Sequence, residues 1–186
     1  MSNGNAFQAA GMETPEEDLL ALRLLTSLLP QAPTIIEVGS WTGRTALNFL
    51  AACPAARVYC VDTWEGSATD TSGRLAEDIG PEKLEGMFLD NCRPHLFKNI
   101  FPLKGTSIFW AKHWPLGPVD LVFLDGDHQL WAVKSDIRAW KPRVKEGGIL
   151  CGHDYNEAMF PDVVRAVHEH CPGHQHAGRT LWFERL

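Results

Sequence analysis

Thr34-Ile35-Ile36-Glu37-Val38-Gly39-Ser40-Trp41-Thr42-Gly43-Arg44-Thr45 decides the fold of this chain. It reads as a short apolar strand closed by an acidic residue and a glycine, then a tight turn, then a helix opening near Arg44. That helix carries Ala46, Leu47, Phe49, Leu50 and Cys53 to one side until Pro54 stops it. Strand, glycine turn and helix in this order let a ligand lie against bare backbone at a helix N-terminus. The dinucleotide fingerprint G-x-G-x-x-G needs glycine two and five places after Gly39. Those places hold Trp41 and Arg44, so the nicotinamide reading fails at its own motif.

Working outward, Thr14-Pro15-Glu16-Glu17 has the form of a capping box with proline at the first helical position. Leu20, Leu24, Leu25, Leu28 and Leu29 mark the expected buried face of the helix it opens, which Pro30 ends. Arg57 to Val61 is the next strand and delivers Asp62. An acid at that point, some twenty residues past the glycine turn, suits the vicinal hydroxyls of a nucleoside ribose; a strand-end cap is the alternative. Residues 66–80 are rich in Gly, Ser, Thr and Asp, show no periodicity, and read as a mobile lid loop beside the ligand. Leu84, Met87, Phe88 and Cys92 follow at helical spacing. Ile100 to Leu103 is a short edge strand containing Pro102. Gly105-Thr106-Ser107 opens another helix, with Ser107 either a helix cap or a ligand contact.

Val119-Asp120-Leu121-Val122-Phe123-Leu124-Asp125-Gly126-Asp127-His128 is a buried parallel strand with ionisable groups at its carboxyl end. The helix after it, from about His128 to Lys141, carries Trp131, Ile137 and Trp140. Gly147-Gly148 then leads into a last parallel strand that delivers Gly152-His153-Asp154-Tyr155 to the same edge, where open α/β sheets bind ligands. Two strand ends therefore aim Asp125, Asp127, His128, His153 and Asp154 at one place.

The runs G-S-x-x-G (Gly39 to Gly43), D-T-W-x-G-S (Asp62 to Ser67), D-G-D-H (Asp125 to His128) and G-H-D-Y (Gly152 to Tyr155) span most of the chain. With them it resembles the class I S-adenosylmethionine (SAM) methyltransferases, and among these the bacterial small-molecule O-methyltransferases and their cephalosporin-hydroxylase-like relatives. Trp41 departs from the commoner form of the first motif, which has glycine there. The resemblance implies an α/β fold, a doubly wound, Rossmann-like, seven-stranded and mostly parallel sheet with an antiparallel final strand. It places Glu37, Gly39, Ser40, Trp41 and Gly43 by the methionine part of SAM. Asp62, Thr63, Trp64, Ser107 and Asp125 complete the cofactor's surroundings, with Trp64 either stacking near the adenosine or packing in the core. In metal-dependent members an ion is held by the positions of Asp125, His153 and Asp154, while His128 or Asp127 is the general base. His153 offers nitrogen where the family has oxygen, which leaves room for Mn²⁺, Fe²⁺ or Zn²⁺ beside Mg²⁺ and leaves His153 itself a candidate for proton transfer.

The expected reaction is methyl transfer from SAM to a hydroxyl of a vicinal diol, sugar or catechol-like small molecule. The alternative is a protein of the same fold that binds SAM or a nucleotide without transferring the methyl group. With 186 residues, 45% hydrophobic and 22% charged, the chain can bury a core without disulfides or structural metal. We expect residues 1–13 to be a loose tail and 14–186 a single domain. Cys53, Cys60, Cys92, Cys151 and Cys171 form no C-x-x-C pair and suit a reducing cytoplasm. The absence of a long apolar run or signal-peptide pattern argues against a membrane, and a net charge of −6 against nucleic acid, as partner. The reading admits a homodimer. The C-terminal part reads as a helix from Pro161 to Cys171 and a hairpin joining the segment near 173–177 to a strand over 180–185. His168, His170, His174 and His176 match no zinc template and read as a helix end and turn.

Overall fold

The computed structural model describes residues 14–67 and 71–186; the expected loose tail over 1–13 lies outside them. Seven strands, β1 (Thr34–Val38), β2 (Arg57–Asp62), β3 (Ile100–Lys104), β4 (Val119–Leu124), β5 (Val144–Gly152), β6 (Gln175–Ala177) and β7 (Leu181–Arg185), form one sheet. Their order is β3-β2-β1-β4-β5-β7-β6. The first five are parallel, and β7 runs antiparallel to both β5 and β6. The expected class is therefore the observed one. Pro102 sits on the edge strand β3, where its missing N–H costs no ladder bond.

Strand residues alternate between two cores, as a period of two requires. Ile35, Val58, Cys60, Leu121, Phe123 and Cys151 face helices α1 (Glu16–Ser27), α2 (Arg44–Ala52), α3 (Thr71–Ile79) and α4 (Pro81–Cys92). Ile36, Tyr59, Val61, Val122, Leu124 and Leu150 face α5 (Ser107–His113), α6 (Leu130–Trp140) and α7 (Pro161–His170). Chain order reverses at β1, between β2 and β4, so a crevice opens over the carboxyl ends of those strands.

Three local expectations change. In α1 the buried residues are Asp18, Leu19, Ala21, Leu22, Leu25 and Thr26, whereas Leu20, Leu24 and Leu28 face outward. The run of leucines supports two helical faces, and packing against α2 chose the one that includes Asp18. Thr14 does not cap α1: Pro15 occupies the cap, and the Thr14 hydroxyl lies 3.4 Å from that of Thr45. The stretch expected as a loop contains α3, whose Ala76 is fully buried and whose Ile79 packs on the same core. Trp131, on the helix that buries Ile137 and Trp140, is 64% exposed.

Candidate active site

The turn after β1 is held by close backbone fits. Gly39 has φ +84, its N–H donates to the Val61 carbonyl, and a Cβ there would lie 1.9 Å from the Asp125 carbonyl oxygen. Only glycine lets the ends of β1 and β4 approach so closely. Gly43 has another cause: its missing Cβ makes room for the Cys92 thiol and the Phe88 ring of α4. Trp41 has φ 47 and is half-buried.

Asp62 ties this turn to β2. Its Oδ2 accepts the N–H groups of Ser40 at 2.8 Å and Trp41 at 2.7 Å, and its Oδ1 accepts that of Trp64 at 2.7 Å. Burial pushes the Asp62 carboxyl up, and those N–H groups oppose the shift. Thr63 Oγ1 accepts from Glu65 N at 3.3 Å. Trp64 is fully enclosed against Phe88 and donates its indole N–H to the Trp41 carbonyl at 2.9 Å, so of its two candidate roles the geometry displays packing. Glu37 is wholly buried below the turn. Burial pushes its carboxyl up to about 7, against the Ser40 hydroxyl and Cys60 thiol beside it; Asp125 and Asp62 add to the rise.

Ser107 does not cap α5. Thr106 does, accepting from Phe109 N, while Ser107 accepts the Trp140 indole N–H at 2.9 Å and bonds the buried Asp136 carboxyl. Burial, the larger influence, raises Asp136 to about 6.

The acidic strand ends lie side by side. The Asp125 N–H donates to the Val38 carbonyl and the His153 N–H to that of Leu124, so β1, β4 and β5 are locked in register at their carboxyl ends. Asp125, His128 and Asp154 bring one ligand atom each within 4.8 Å of one another. His128 Nε2 lies 2.7 Å from Asp154 Oδ2 and 3.9 Å from Asp125 Oδ1, and its ring rests on Phe160. His153 Nδ1 lies 3.3 Å from Asp154 Oδ1 and 3.7 Å from Asp125 Oδ1. The two imidazoles thus flank one carboxylate pair, His128 at 22% side-chain exposure and His153 at 10%. Asp154 adopts a left-handed backbone, φ 59, to turn its carboxylate inward. Burial would raise that carboxyl, but hydrogen bonds from His128 and His153 hold it well below the usual range. His153 is raised to about 10: burial opposes its charge, and Asp125, Asp154 and Asp18 outweigh that opposition. Asp127 stands apart, its two oxygens accepting from the backbone and side-chain N–H groups of Gln129 at the start of α6.

Two groups here were not legible in the sequence. Asp18 resembles an ordinary acid in a first helical turn, yet its side chain is fully enclosed and reaches His153 Nε2 at 3.1 Å. Its place on the same helical face as Leu22 and Leu25 is the one sequence signal that could have flagged it. The C-terminal histidines gather on Tyr155, whose hydroxyl meets His168 Nε2 at 2.7 Å and His174 Nε2 at 2.9 Å. They anchor the segment that follows Asp154.

A donor set of two carboxylates and imidazole nitrogen fits a divalent cation that tolerates nitrogen better than Mg²⁺ does. No described helix is long and apolar enough to cross a membrane. The fold is shared with several solved structures. A candidate caffeoyl-CoA O-methyltransferase from Staphylococcus aureus superposes with a TM-score of 0.69 at 13% identity, covering 98% of this chain and 91% of that one. The O-methyltransferase NovP gives 0.66 at 19% identity, with 97% and 87% covered. The calicheamicin methyltransferase CalS11 gives 0.66 at 21%, with 90% and 78% covered. Residues 36–155, from the strand before the glycine turn through both acidic strand ends, match the model of the methyltransferase domain, and the chain belongs to that family of SAM-dependent enzymes.

Proposed function

We propose that this chain transfers the methyl group of SAM to a hydroxyl of a small molecule bearing two neighbouring oxygens, such as a vicinal diol, a sugar or a catechol. One observation carries the reading: Asp125, His128 and Asp154, from two adjacent strand ends, converge within 4.8 Å beside the turn expected to hold the cofactor. The SAM sulfonium methyl is already electrophilic, so the protein has to align the acceptor and deprotonate it. A divalent ion between Asp125 and Asp154 would orient both acceptor oxygens and lower the pKa of the attacking one. His128, on the more exposed side of the pair, is the base: the ionised Asp154 accepts its Nε2–H and fixes the ring, and the acceptor's proton is taken at Nδ1. Asp62 and the glycine turn bind the cofactor, with the methionine portion against Gly39.

The test is turnover of SAM to S-adenosylhomocysteine with a panel of polyols and phenols, before and after chelation. EDTA should abolish turnover and leave SAM affinity intact, because the ion meets the acceptor and not the cofactor. His128→Ala should lower kcat by about 10²–10⁴-fold. Turnover that survives chelation removes the ion from the mechanism. SAM binding without turnover of any acceptor would leave a SAM-binding protein of the same fold.

A further inference from the structure

Helix α1 lies at the far end of the chain from β5, yet it places a carboxylate against the back of the site. Asp18 is 0% exposed and accepts from four groups. Its Oδ1 takes the backbone N–H of Arg179 at 2.5 Å and of Thr180 at 3.0 Å. Its Oδ2 takes the Thr180 hydroxyl at 3.0 Å and meets His153 Nε2 at 3.1 Å. The β6–β7 turn is shaped around it: Gly178 has φ +59, and a Cβ there would lie 2.2 Å from Asp18 Oδ1. Burying a carboxylate–imidazole pair generally gains no stability over well-packed apolar side chains. Such a cradle therefore needs a reason other than stability.

We propose that Asp18 is a positioning residue, which holds the proton of His153 on Nε2 and turns Nδ1 toward Asp125 and Asp154. This rests on the reading of those carboxylates as the reaction centre. All four contacts of the Asp18 carboxyl are with groups able to donate, two backbone N–H groups, the Thr180 hydroxyl and His153 Nε2, and the Thr180 hydroxyl also lies 3.1 Å from Nε2. A carboxylate that accepts from every one of them satisfies the whole set, with Nε2 as the donor on the imidazole side. Nδ1 lies 3.3 Å from Asp154 and 3.7 Å from Asp125, and a cation held there would displace the Nδ1 proton and take that nitrogen's lone pair. That is the carboxylate–histidine–metal arrangement in which an outer carboxylate sets tautomer and ring angle. The same contact makes helix α1 part of the site.

Asp18→Asn tests this almost isosterically. The two backbone N–H groups cannot reverse, so the amide oxygen must face them and the NH₂ must face His153 and Thr180. Nε2 then becomes an acceptor and the proton moves to Nδ1. Mn²⁺ titration calorimetry should show about 10–100-fold weaker binding in Asp18→Asn, with SAM affinity within about twofold of wild type. In parallel, nitrogen-15 spectra of the histidine rings, recorded with Zn²⁺ bound, should show the His153 proton on Nε2 in wild type. The variant should carry it on Nδ1. Unchanged Mn²⁺ affinity, or parallel loss of Mn²⁺ binding, SAM binding and thermal stability, overturns the proposal in favour of a structural role. Should Asp18→Asn fail to fold, the wild-type spectrum decides alone, since an unprotonated Nε2 contradicts the clamp. If wild type binds no Mn²⁺, the metal reading fails. The clamp is then judged on metal-free spectra, in which Nε2 must still carry a proton.

Discussion

Asp62 shows how a single carboxylate can shape a turn and, in the proposed function, serve the ligand as well. Three backbone N–H groups converge on it within 2.8 Å, two of them from the turn proposed to face SAM. Replacing it with alanine removes a charge-assisted acceptor from N–H groups that are partly buried. We expect Asp62→Ala to weaken SAM binding by about 1.5–3 kcal/mol and to lower thermal stability with it. Calorimetric titration with SAM alongside thermal unfolding measures both, and SAM affinity equal to wild type refutes the placement. The sequence pointed to Asp62 through its position at a strand end. It could not show the turn N–H groups, because which donors meet a carboxylate depends on the path of a loop more than twenty residues away. Asp18 is the sharper instance. Its partners, His153, Arg179 and Thr180, are all more than a hundred residues distant in sequence.

At the scale of elements, the meeting of β1 with β4 governs the site. The Gly39 position combines a left-handed backbone with a Cβ direction that runs into the Asp125 carbonyl at 1.9 Å. An alanine there incurs about 1–2 kcal/mol of backbone strain and must also push two parallel strand ends apart. Gly39→Ala should therefore lower the melting temperature by at least about 5 °C and abolish SAM binding; a variant that melts and binds as wild type would falsify the close-approach account. Such a glycine is readable from sequence because turn chemistry is local, and the apolar strands were readable because their patterns are strong. The face of α1 and the existence of α3 were not. Leucines at positions 19, 20, 22, 24, 25, 28 and 29 permit more than one buried stripe, and only the partner helix selects among them. In α3 the apolar residues are few and the polar ones are loop-formers, so tertiary packing of Ala76 overrides weak propensity.

For the molecule as a whole, the enclosed ionisable groups around the strand ends and on the helices packed against them set how stability varies with pH. Asp18 has its carboxyl lowered to about 2, so its contribution is complete above its unfolded value near 4 and is lost as pH falls toward 2. His153 is raised to about 10, so its contribution is complete below about 6.5 and is lost as pH rises through 10. Glu37 and Asp136 act in the same direction as His153. Burial raises them to about 7 and about 6, so the folded state holds their protons longer than the unfolded chain does, and stability falls as pH rises through that range. Together these groups place the maximum near pH 4–5, with a decline on the alkaline side that begins before His153 titrates. Glu37 alone accounts for up to about 3 kcal/mol of that decline. Glu37→Gln keeps the side chain's shape and removes its ionisation, so the variant should be more stable than wild type at pH 8 and differ little at pH 4.5. Scanning calorimetry of the SAM-free protein across pH 4–9 would show wild type losing melting temperature more steeply between pH 4.5 and 7 than the variant, which keeps only the part of the decline that Asp136 sets. Equal slopes in the two proteins would mean that Glu37 is ionised in the folded state, and that the strand end tolerates a buried negative charge beneath the turn even before a cationic cofactor arrives.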